Sequence, residues 1–347
     1  MKRFKRQRDY GFFDQDIRLS KLSQLGDPLE KLKSGVDFEM FRTLLEKRLI
    51  KASRGKGGRP PYDYVLMFKV LILQRYYNLS DEQLEYQIND RMSFMRFLDL
   101  TLADDIPDSR TIWTFNERLT DLELVEELFD LFESSLERLS LIAHEGKLVD
   151  ASFVEVPRQR NSREENTEVK SGTIPEKWKE TPNKWAQKDI DARWTKKNNV
   201  AYYGYKNHTK VDGKSKLITK YKVTDASVHD SQVLGHLLDE QDKAQPLYAD
   251  SAYTGQQDVL NKYEIEDQIC EKGARNRPLT DTQRASNKEK SRVRARVEHV
   301  FGFMENSMGT MFNRKIGLKR AKTTIGLMNL TYNMFRKLQL ERIGAFF

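Results

Sequence analysis

Three acidic residues stand in apolar or basic surroundings that would suit a catalytic site. Asp150 lies within KLVDASFVEV, Asp250 ends the apolar run PLYAD, and Glu298 follows Val297 in RVRARVEHVFGFM. A carboxylate at the end of a buried strand is costly unless it is paired, hydrogen-bonded or bound to a metal. Each residue taken singly is more often a helix cap or a surface residue, but their shared context favours one common site.

Three converging carboxylates repel one another unless cations neutralise them. Hard oxygen ligands suit Mg²⁺ or Mn²⁺, and two such ions about 4 Å apart activate the attacking oxygen and stabilise the leaving oxygen in phosphoryl transfer. In-line displacement tolerates little misplacement, so the ligands need rigid elements. Asp150, Asp250 and Glu298 are therefore candidate metal ligands and catalytic residues, although their spacing alone does not establish a site.

The second part of the chain contains the elements that would position these carboxylates. Residues 147–156 alternate as a strand does, and Asp212-Gly213 lies between two further strands as a hairpin turn. A strand is predicted at 246–250 and another at EDQIC. Helices are predicted at HDSQVLGHLLDEQ with Asp230 as N-cap, and at 255–263, 281–306 and 318–340. Val297, Val300, Phe301 and Met304 would form the face toward the sheet. This pattern predicts an α/β layer fold.

The first 145 residues are predicted to be helical. Pro60 and Pro61 suit the first turn of an apolar helix, and Ser80 with Gln83 forms a capping box. Asp108 or Ser109 caps RTIWTFNERL. The short helices are compatible with a helix-turn-helix module that would expose Arg110, Thr111, Trp113 and Asn116 to DNA, and equally with an ordinary helical bundle.

The net charge of +8 favours an anionic partner such as nucleic acid, although a merely soluble basic protein has a similar composition. The cations expected to contact DNA phosphate are Arg292, Arg294, Arg296, Lys196, Lys197 and Lys206. The single cysteine, Cys270, excludes a disulfide framework and a cysteine zinc cluster. No signal peptide and no run of about 18 apolar residues is present, which predicts a cytoplasmic protein without membrane contact.

Residues 157–199 are rich in both acidic and basic residues and contain three of the four tryptophans, Trp178, Trp185 and Trp194. Disordered linkers rarely carry so many large aromatic residues. The segment either packs as an irregular insertion, which is the favoured interpretation for the tryptophans, or contacts nucleic acid.

Six blocks in order resemble the bacterial insertion-sequence transposases of the DDE class, specifically the insertion-sequence-5 family. They are LVDASFVEVP, QKDIDARWTKKN, YYGYKNHTKVD, TDASVHDSQVLGHLL, YADSAYTG and RARVEHVFG. The resemblance extends over roughly 35–340. It implies a ribonuclease-H-like catalytic domain at 146–347 with an insertion at 157–200, a helical domain for DNA binding or assembly at 35–145, and a basic arm at 1–34.

The resemblance also implies the activity and the partners. Two divalent ions would be held by the three carboxylates, Asp150, Asp250 and Glu298. The substrates would be the ends of the mobile element and a target duplex, and a homodimer is expected because two ends must be brought together. His229 and Asp230 match a family block, and His208 lies on the predicted hairpin; all three are possible accessory residues. Surface exposure or backbone bonding is favoured for His208 over catalysis.

The helix that carries Glu298 departs from the family pattern in one place. Arg294 stands four residues before the glutamate as in the family, but the lysine expected seven residues after it is Glu305. Ser291 stands where related groups have tyrosine. The predicted function is DNA transposition; the alternatives are a metal-dependent nuclease without strand transfer and an inactive DNA-binding derivative.

Overall fold

The computed structural model describes residues 11–50, 60–156, 160–197, 199–274, 277–309 and 311–347. Two basic stretches of the sequence, MKRFKRQR at 1–8 and RGKGGR at 54–59, lie outside the described residues. The first half of the chain is helical, as predicted. Its helices are α1 (Asp14–Gln24), α2 (Pro28–Gly35), α3 (Arg42–Leu49), α4 (Tyr64–Tyr76), α5 (Asp81–Asp90), α6 (Met92–Leu98), α7 (Ser109–Asp121) and α8 (Leu124–Arg138).

Side-chain caps determine where several of these helices begin. Asp63 accepts hydrogen bonds from two backbone N–H groups of the first turn of α4, so this helix begins at Tyr64. Pro60 and Pro61 therefore precede the helix, and their predicted place in its first turn is wrong. The predicted capping box at the start of α5 is confirmed, and Asp108 caps α7.

The second half contains a mixed sheet with short helices around it. The strands are β1 (Lys147–Glu155), β2 (Arg193–Lys197), β3 (Val200–Asp212), β4 (Ile218–Asp225), β5 (Pro246–Tyr248) and β6 (Glu266–Asp267). The remaining helices are α9 (Arg163–Lys170), α10 (Glu176–Lys179), α11 (Pro182–Trp185), α12 (Leu234–Leu237), α13 (Gln257–Lys262), α14 (Asp281–Arg294), α15 (Glu298–Gly302) and α16 (Leu318–Arg342).

Strand β1 lies at the centre of the sheet. It pairs antiparallel with β3 and parallel with β5, β6 continues parallel beyond β5, and β4 pairs antiparallel with β3. Leu148 of β1 belongs to one apolar cluster and Val149 to another, so both faces of the sheet are covered. The order β4-β3-β1-β5-β6 confirms the predicted ribonuclease-H-like α/β class preceded by an all-α region.

Two local predictions in this half differ from the structure. The predicted helix HDSQVLGHLLDEQ is a 3₁₀ turn, Asp230–Val233, followed by α12. Its cap is His229, which accepts from the N–H of Ser231, and Asp230 instead pairs with Lys206. The predicted strand EDQIC is reduced to the two residues of β6.

Helix α16 joins the two halves through one continuous core. It contacts α2, α4, α7 and α8 on one side and β3 and β4 on the other. The amides of Asn207 and Asn329 hydrogen-bond each other between β3 and α16 at 2.7 and 3.1 Å. The predicted domain boundary at 145/146 falls between α8 and β1, but the core crosses it. Within the predicted arm, Leu29 and Leu32 of α2 are fully buried in that core.

Two of the three tryptophans in the predicted insertion are packed within the protein, and Trp194 lies on strand β2 of the sheet. Trp178 is buried and donates to Glu165 Oε1 at 2.7 Å. Trp194 donates to the carbonyl of Asn161 at 2.8 Å, whereas Trp185 is exposed. The preference for packing is thus confirmed for Trp178 and Trp194. In the part of the chain that the structure describes, no helix is both long and apolar enough to cross a membrane.

Candidate active site

The sheet brings Asp150 and Asp250 to matching positions. Leu148 of β1 pairs with Tyr248, the last residue of the parallel strand β5. Asp150 comes two residues after Leu148 within β1. Asp250 comes two residues after Tyr248, in extended backbone just beyond β5. Because side chains two residues apart point to the same face, both aspartates face the side that Leu148 occupies. Neighbouring strands lie about 4.8 Å apart. Two aspartates separated by 99 intervening residues therefore become neighbours on one sheet face.

Each aspartate is held by the backbone beside it. Asp150 Oδ1 accepts from the N–H of Ala151 at 2.8 Å. Asp250 Oδ1 accepts from the N–H of Ala252 at 2.8 Å and thereby caps the 3₁₀ turn Ser251–Tyr253. The other oxygen of Asp150, Oδ2, accepts from Arg294 Nη1 at 3.3 Å. One oxygen of each aspartate is thus used to fix the orientation of its carboxylate.

The environment of Asp150 opposes its ionisation. The pKa of Asp150 is raised to about 6, chiefly by burial and also by the charge of Asp250, against the lowering effects of the Ala151 N–H, Arg294 and Lys197. A pair of oxygen donors that repel each other across a short distance is stabilised by a bound cation. Asp150 and Asp250 therefore fit Mg²⁺ or Mn²⁺, which takes one or two carboxylates and completes its coordination with water and phosphate.

Glu298 begins α15, directly after the 3₁₀ turn Ala295–Val297 that packs on β1. The predicted inward face of this helix is confirmed, because Val297, Val300 and Met304 are fully buried. They belong to the same apolar cluster as Leu148, so Glu298 and Asp150 lie on one side of the sheet.

The Glu298 side chain is exposed and is not gathered with the two aspartates. Over the described ranges, no three His, Cys, Asp or Glu residues are spaced to hold a metal ion. The structure thus brings together two of the three predicted ligands and places the third on a helix that packs beside them.

The other predicted basic residues occupy different environments. Arg292 is exposed and donates to Glu289 Oε1 at 3.0 Å. Arg296 donates to the carbonyl of Gly213 at 3.0 Å. Lys196 and Lys197 are exposed on β2, and the charge of Lys197 reaches Asp150. Arg110 is exposed on α7.

Asn116, which the sequence predicts to be exposed, and Lys206, which it predicts to contact DNA phosphate, are both buried. Lys206 is 7% exposed and donates to Asp230 Oδ1 at 2.8 Å and to the carbonyl of Val228 at 2.7 Å. Asn116 is 1% exposed on the inward face of α7, beside the buried Phe115. An amphipathic helix can hide one polar residue among its apolar neighbours, so the residue type alone did not reveal this burial.

His208 also lies inside the protein and not on the surface. Its side chain is 0% exposed, and Nε2 is 2.9 Å from Thr224 Oγ1. Asp150 pairs with Thr209 in the β1–β3 register, so His208 points to the opposite face from Asp150. Lys206 shares that opposite face with His208, whereas His229 is exposed and bonds Ser231. The two-residue spacing of Lys206, His208 and Lys210 is the sequence signal for this buried polar face.

Tyr253 is a residue at the site that sequence reasoning missed. Its side chain is fully buried, and its hydroxyl makes no hydrogen bond with any described group. Burial raises its pKa well above the ordinary value, and the charges of Asp230, Asp150 and Asp250 raise it further. Tyr253 packs in the apolar cluster that contains Val149, and its hydroxyl is close enough to both aspartates to respond to their charges. Nothing in YADSAYTG other than its closeness to Asp250 pointed to this placement.

A mixed sheet of this order, with aspartates at matching positions of its central parallel strands, defines a DDE-type domain. The chain belongs to the family described as "Transposase DDE domain", whose model matches residues 143–334, more than half of the chain. A second family model, "Transposase domain (DUF772)", matches residues 17–118 in the helical region.

Among solved structures, the chain is similar to the piggyBac transposase synaptic complex with hairpin DNA, determined by cryo-EM. The sequence identity is 11% and the TM-score is 0.44, with 93% of this chain and 77% of that chain covered. The family assignment rests on the two family models.

Proposed function

We propose that this protein is a metal-dependent DNA transposase that cleaves phosphodiester bonds at the ends of a mobile element and joins the freed 3′-hydroxyl groups to target DNA. The observation that carries the proposal is the placement of Asp150 and Asp250 at matching positions of neighbouring parallel strands, with the Glu298 helix on the same face. Membership of the transposase DDE domain family supports it.

In this proposal Asp150, Asp250 and Glu298 hold two divalent ions, Mg²⁺ or Mn²⁺. When bound, such ions activate the attacking oxygen and stabilise the leaving oxygen of an in-line displacement. The protein itself fixes the carboxylates: the Ala151 and Ala252 N–H groups orient the two aspartates. Bound cations would offset the repulsion among the three carboxylates, and Glu298 would complete the ligand set from the neighbouring helix.

The DNA partner is assigned from the basic residues around this face. In this proposal Lys196, Lys197, Arg292 and Arg296 contact DNA phosphates, and Arg110 contacts DNA from the helical region. Two element ends must be brought together, so a homodimer on DNA is part of the proposal, as are membership of the insertion-sequence-5 family and a cytoplasmic location. Phosphate contacts of this kind predict binding that weakens steeply with salt.

The test is Mg²⁺-dependent cleavage of a duplex that carries the inverted repeat flanking the coding frame. We expect Asp250→Asn and Glu298→Gln to lose activity by at least about a thousandfold, because each removes a charged ligand. Asn is preferred to Ala at 250 because it retains the cap of the following turn. The matched control is Asp258→Asn, an exposed aspartate in the first turn of α13.

The alternatives give different products. A nuclease without strand transfer would cleave the duplex but leave no joined target DNA. An inactive DNA-binding derivative, which the exposed Glu305 favours, would bind the repeat and cleave nothing with either ion. If wild type and Asp250→Asn cleave equally, Asp250 is not a catalytic metal ligand and the proposed active site is contradicted.

A further inference from the structure

A cleft far from the carboxylates combines aromatic rings with cations. It lies between the α4–α5 turn, α7 and the loop that precedes α16, and has a volume of about 340 Å³. This volume is in the range of small-ligand sites. Two large rings line it with unusually open faces: Trp113 is 48% exposed and Phe312 is 46% exposed. Exposed rings in a basic groove are the platforms on which unpaired bases stack.

The cations of this cleft are incompletely neutralised. Arg75, Arg314 and Lys315 line it, and none of them forms an ion pair with the described residues. Arg75 Nε is buried and has no hydrogen-bond partner among the residues that the structure describes. Burial lowers the pKa of Lys315 to about 7, with the charge of Arg75 acting in the same direction. Unpaired cations at this depth are stabilised by an anion.

Three carboxylates also line the cleft, and one of them is paired with a cation. Glu117 accepts from Arg320 at 2.6 Å. Asp81 accepts from Gln74 Nε2 at 2.6 Å. The third, Glu82, is exposed in the first turn of α5. The charge of Asp81 acts on both Arg75 and Lys315. The four cations of the cleft nevertheless exceed its three carboxylates by one positive charge.

The cleft is fixed to the strand that carries Asp150. The backbone of Glu155, near the end of β1, donates to the carbonyl of Met311 at 3.1 Å and accepts from the N–H of Asn313 at 2.8 Å. Glu155 is five residues after Asp150, which corresponds to about 16 Å along a strand. This distance equals roughly five base pairs of duplex rise, so one DNA molecule can reach both places.

We propose that this cleft binds a nucleotide of single-stranded DNA, with its phosphate at Arg75, Arg314 and Lys315 and its base stacked on Trp113 or Phe312. The inference rests on the proposed action on DNA and adds a second contact region, in the helical half, to the carboxylate site. An unpaired base is required because the faces of a paired base within a duplex are covered by its neighbours.

The test measures binding of a labelled single-stranded oligonucleotide to the full-length protein in EDTA, so that no cleavage contributes. We expect Trp113→Ala to weaken binding by at least about fivefold, whereas Trp113→Phe retains most of the affinity. At pH 6, where Lys315 is largely protonated, we expect Lys315→Gln to weaken binding and to reduce the slope of log affinity against log salt by about 0.7. The matched controls are Trp185→Ala and Lys243→Gln, exposed residues outside the cleft.

Thermal unfolding separates a binding defect from a folding defect. Lys315→Gln removes an unpaired, largely buried charge, so its melting temperature should be no lower than that of wild type. Weaker oligonucleotide binding by a variant of unchanged or higher stability supports the cleft. Wild-type affinity and salt slope in both Lys315→Gln and Trp113→Ala would overturn it.

A second experiment tests whether the cleft binds the phosphate of DNA or free inorganic phosphate. Stabilisation of wild type by inorganic phosphate, in the absence of any oligonucleotide binding, would overturn the assignment to DNA. The cleavage assay is independent of both binding experiments. If the cleft variants weaken oligonucleotide binding but wild type does not cleave DNA, only the proposed catalytic function is contradicted. If wild type cleaves DNA but the cleft variants bind normally, only the proposed nucleotide site is contradicted.

Discussion

Arg294 Nη1 donates to Asp150 Oδ2 at 3.3 Å, so a cation of the chain itself stands beside a proposed metal ligand. Both side chains are largely buried, at 24% and 14% exposure. The sequence predicted Arg294 as a phosphate contact, whereas here its guanidinium neutralises Asp150. A bound metal would supply the same charge and would release Arg294 toward DNA.

This relationship predicts unequal effects of two neighbouring arginines. Arg294→Gln should lower the free energy of unfolding of the metal-free protein by about 1–2 kcal/mol at pH 8, because a partly buried carboxylate loses its cation. Arg292→Gln should change it by less than about 0.5 kcal/mol, because the pair with Glu289 is exposed. Urea denaturation in EDTA measures both values, and equal losses would contradict a specific role for Arg294.

Glu305 offers a gain-of-binding prediction. It is exposed on the helical segment after α15, where the family pattern has lysine. Glu305→Lys should strengthen binding of duplex DNA several-fold at low salt and increase the slope of log affinity against log salt by about 0.9, because one phosphate contact is added. Glu305→Gln should give a smaller gain. Glu240→Lys, at another exposed position, is the control, and an equal gain there would point to net charge alone.

His208 predicts how stability depends on pH. Burial lowers its pKa from 6.5 to about 4, so the folded protein holds the ring neutral while the unfolded chain protonates it near pH 6.5. The stabilising contribution is therefore complete above about pH 6.5 and is lost as the pH falls toward 4. Between pH 8 and pH 5 the loss is about 2 kcal/mol.

The measurement is the free energy of unfolding at both pH values for wild type and two variants. His208→Gln should reduce the dependence on pH by about that 2 kcal/mol, since the titrating ring is gone. His236→Gln removes an exposed histidine and should leave the dependence unchanged. If the free energy of unfolding of His208→Gln depends on pH as strongly as that of wild type, other groups cause the destabilisation in acid.

Gly326 tests the packing of α16 against both halves. A Cβ at this position would clash with the Tyr221 hydroxyl and would lie only 2.8 Å from Val125 Cγ1. Gly326→Ala should therefore cost about 1–3 kcal/mol through overpacking, even though alanine favours a helix by about 1 kcal/mol. At Gly302 of α15 the nearest atom would be 3.9 Å away, so Gly302→Ala should not destabilise. Thermal unfolding of the two variants distinguishes the effects, and equal stability would show that α16 has room at Gly326.

Local features of the chain were predictable from the sequence because they depend on neighbours a few residues away. The capping box at Ser80 and the hairpin at Asp212-Gly213 involve nearby backbone and side-chain groups. The inward face of the Glu298 helix follows from apolar spacing alone. The fold class followed from the order of such elements together with the resemblance to a known family.

Exposure could not be predicted in the same way, because it depends on which surfaces meet. Three residues of types that are usually exposed are buried in the folded protein: Asn116, Lys206 and His208. The sequence by itself determined which residues bear carboxylates and where strands and helices form. Only the tertiary structure placed Asp150 beside Asp250 and Arg294 beside Asp150, because contacts across about 100 residues are set by sheet pairing and by packing.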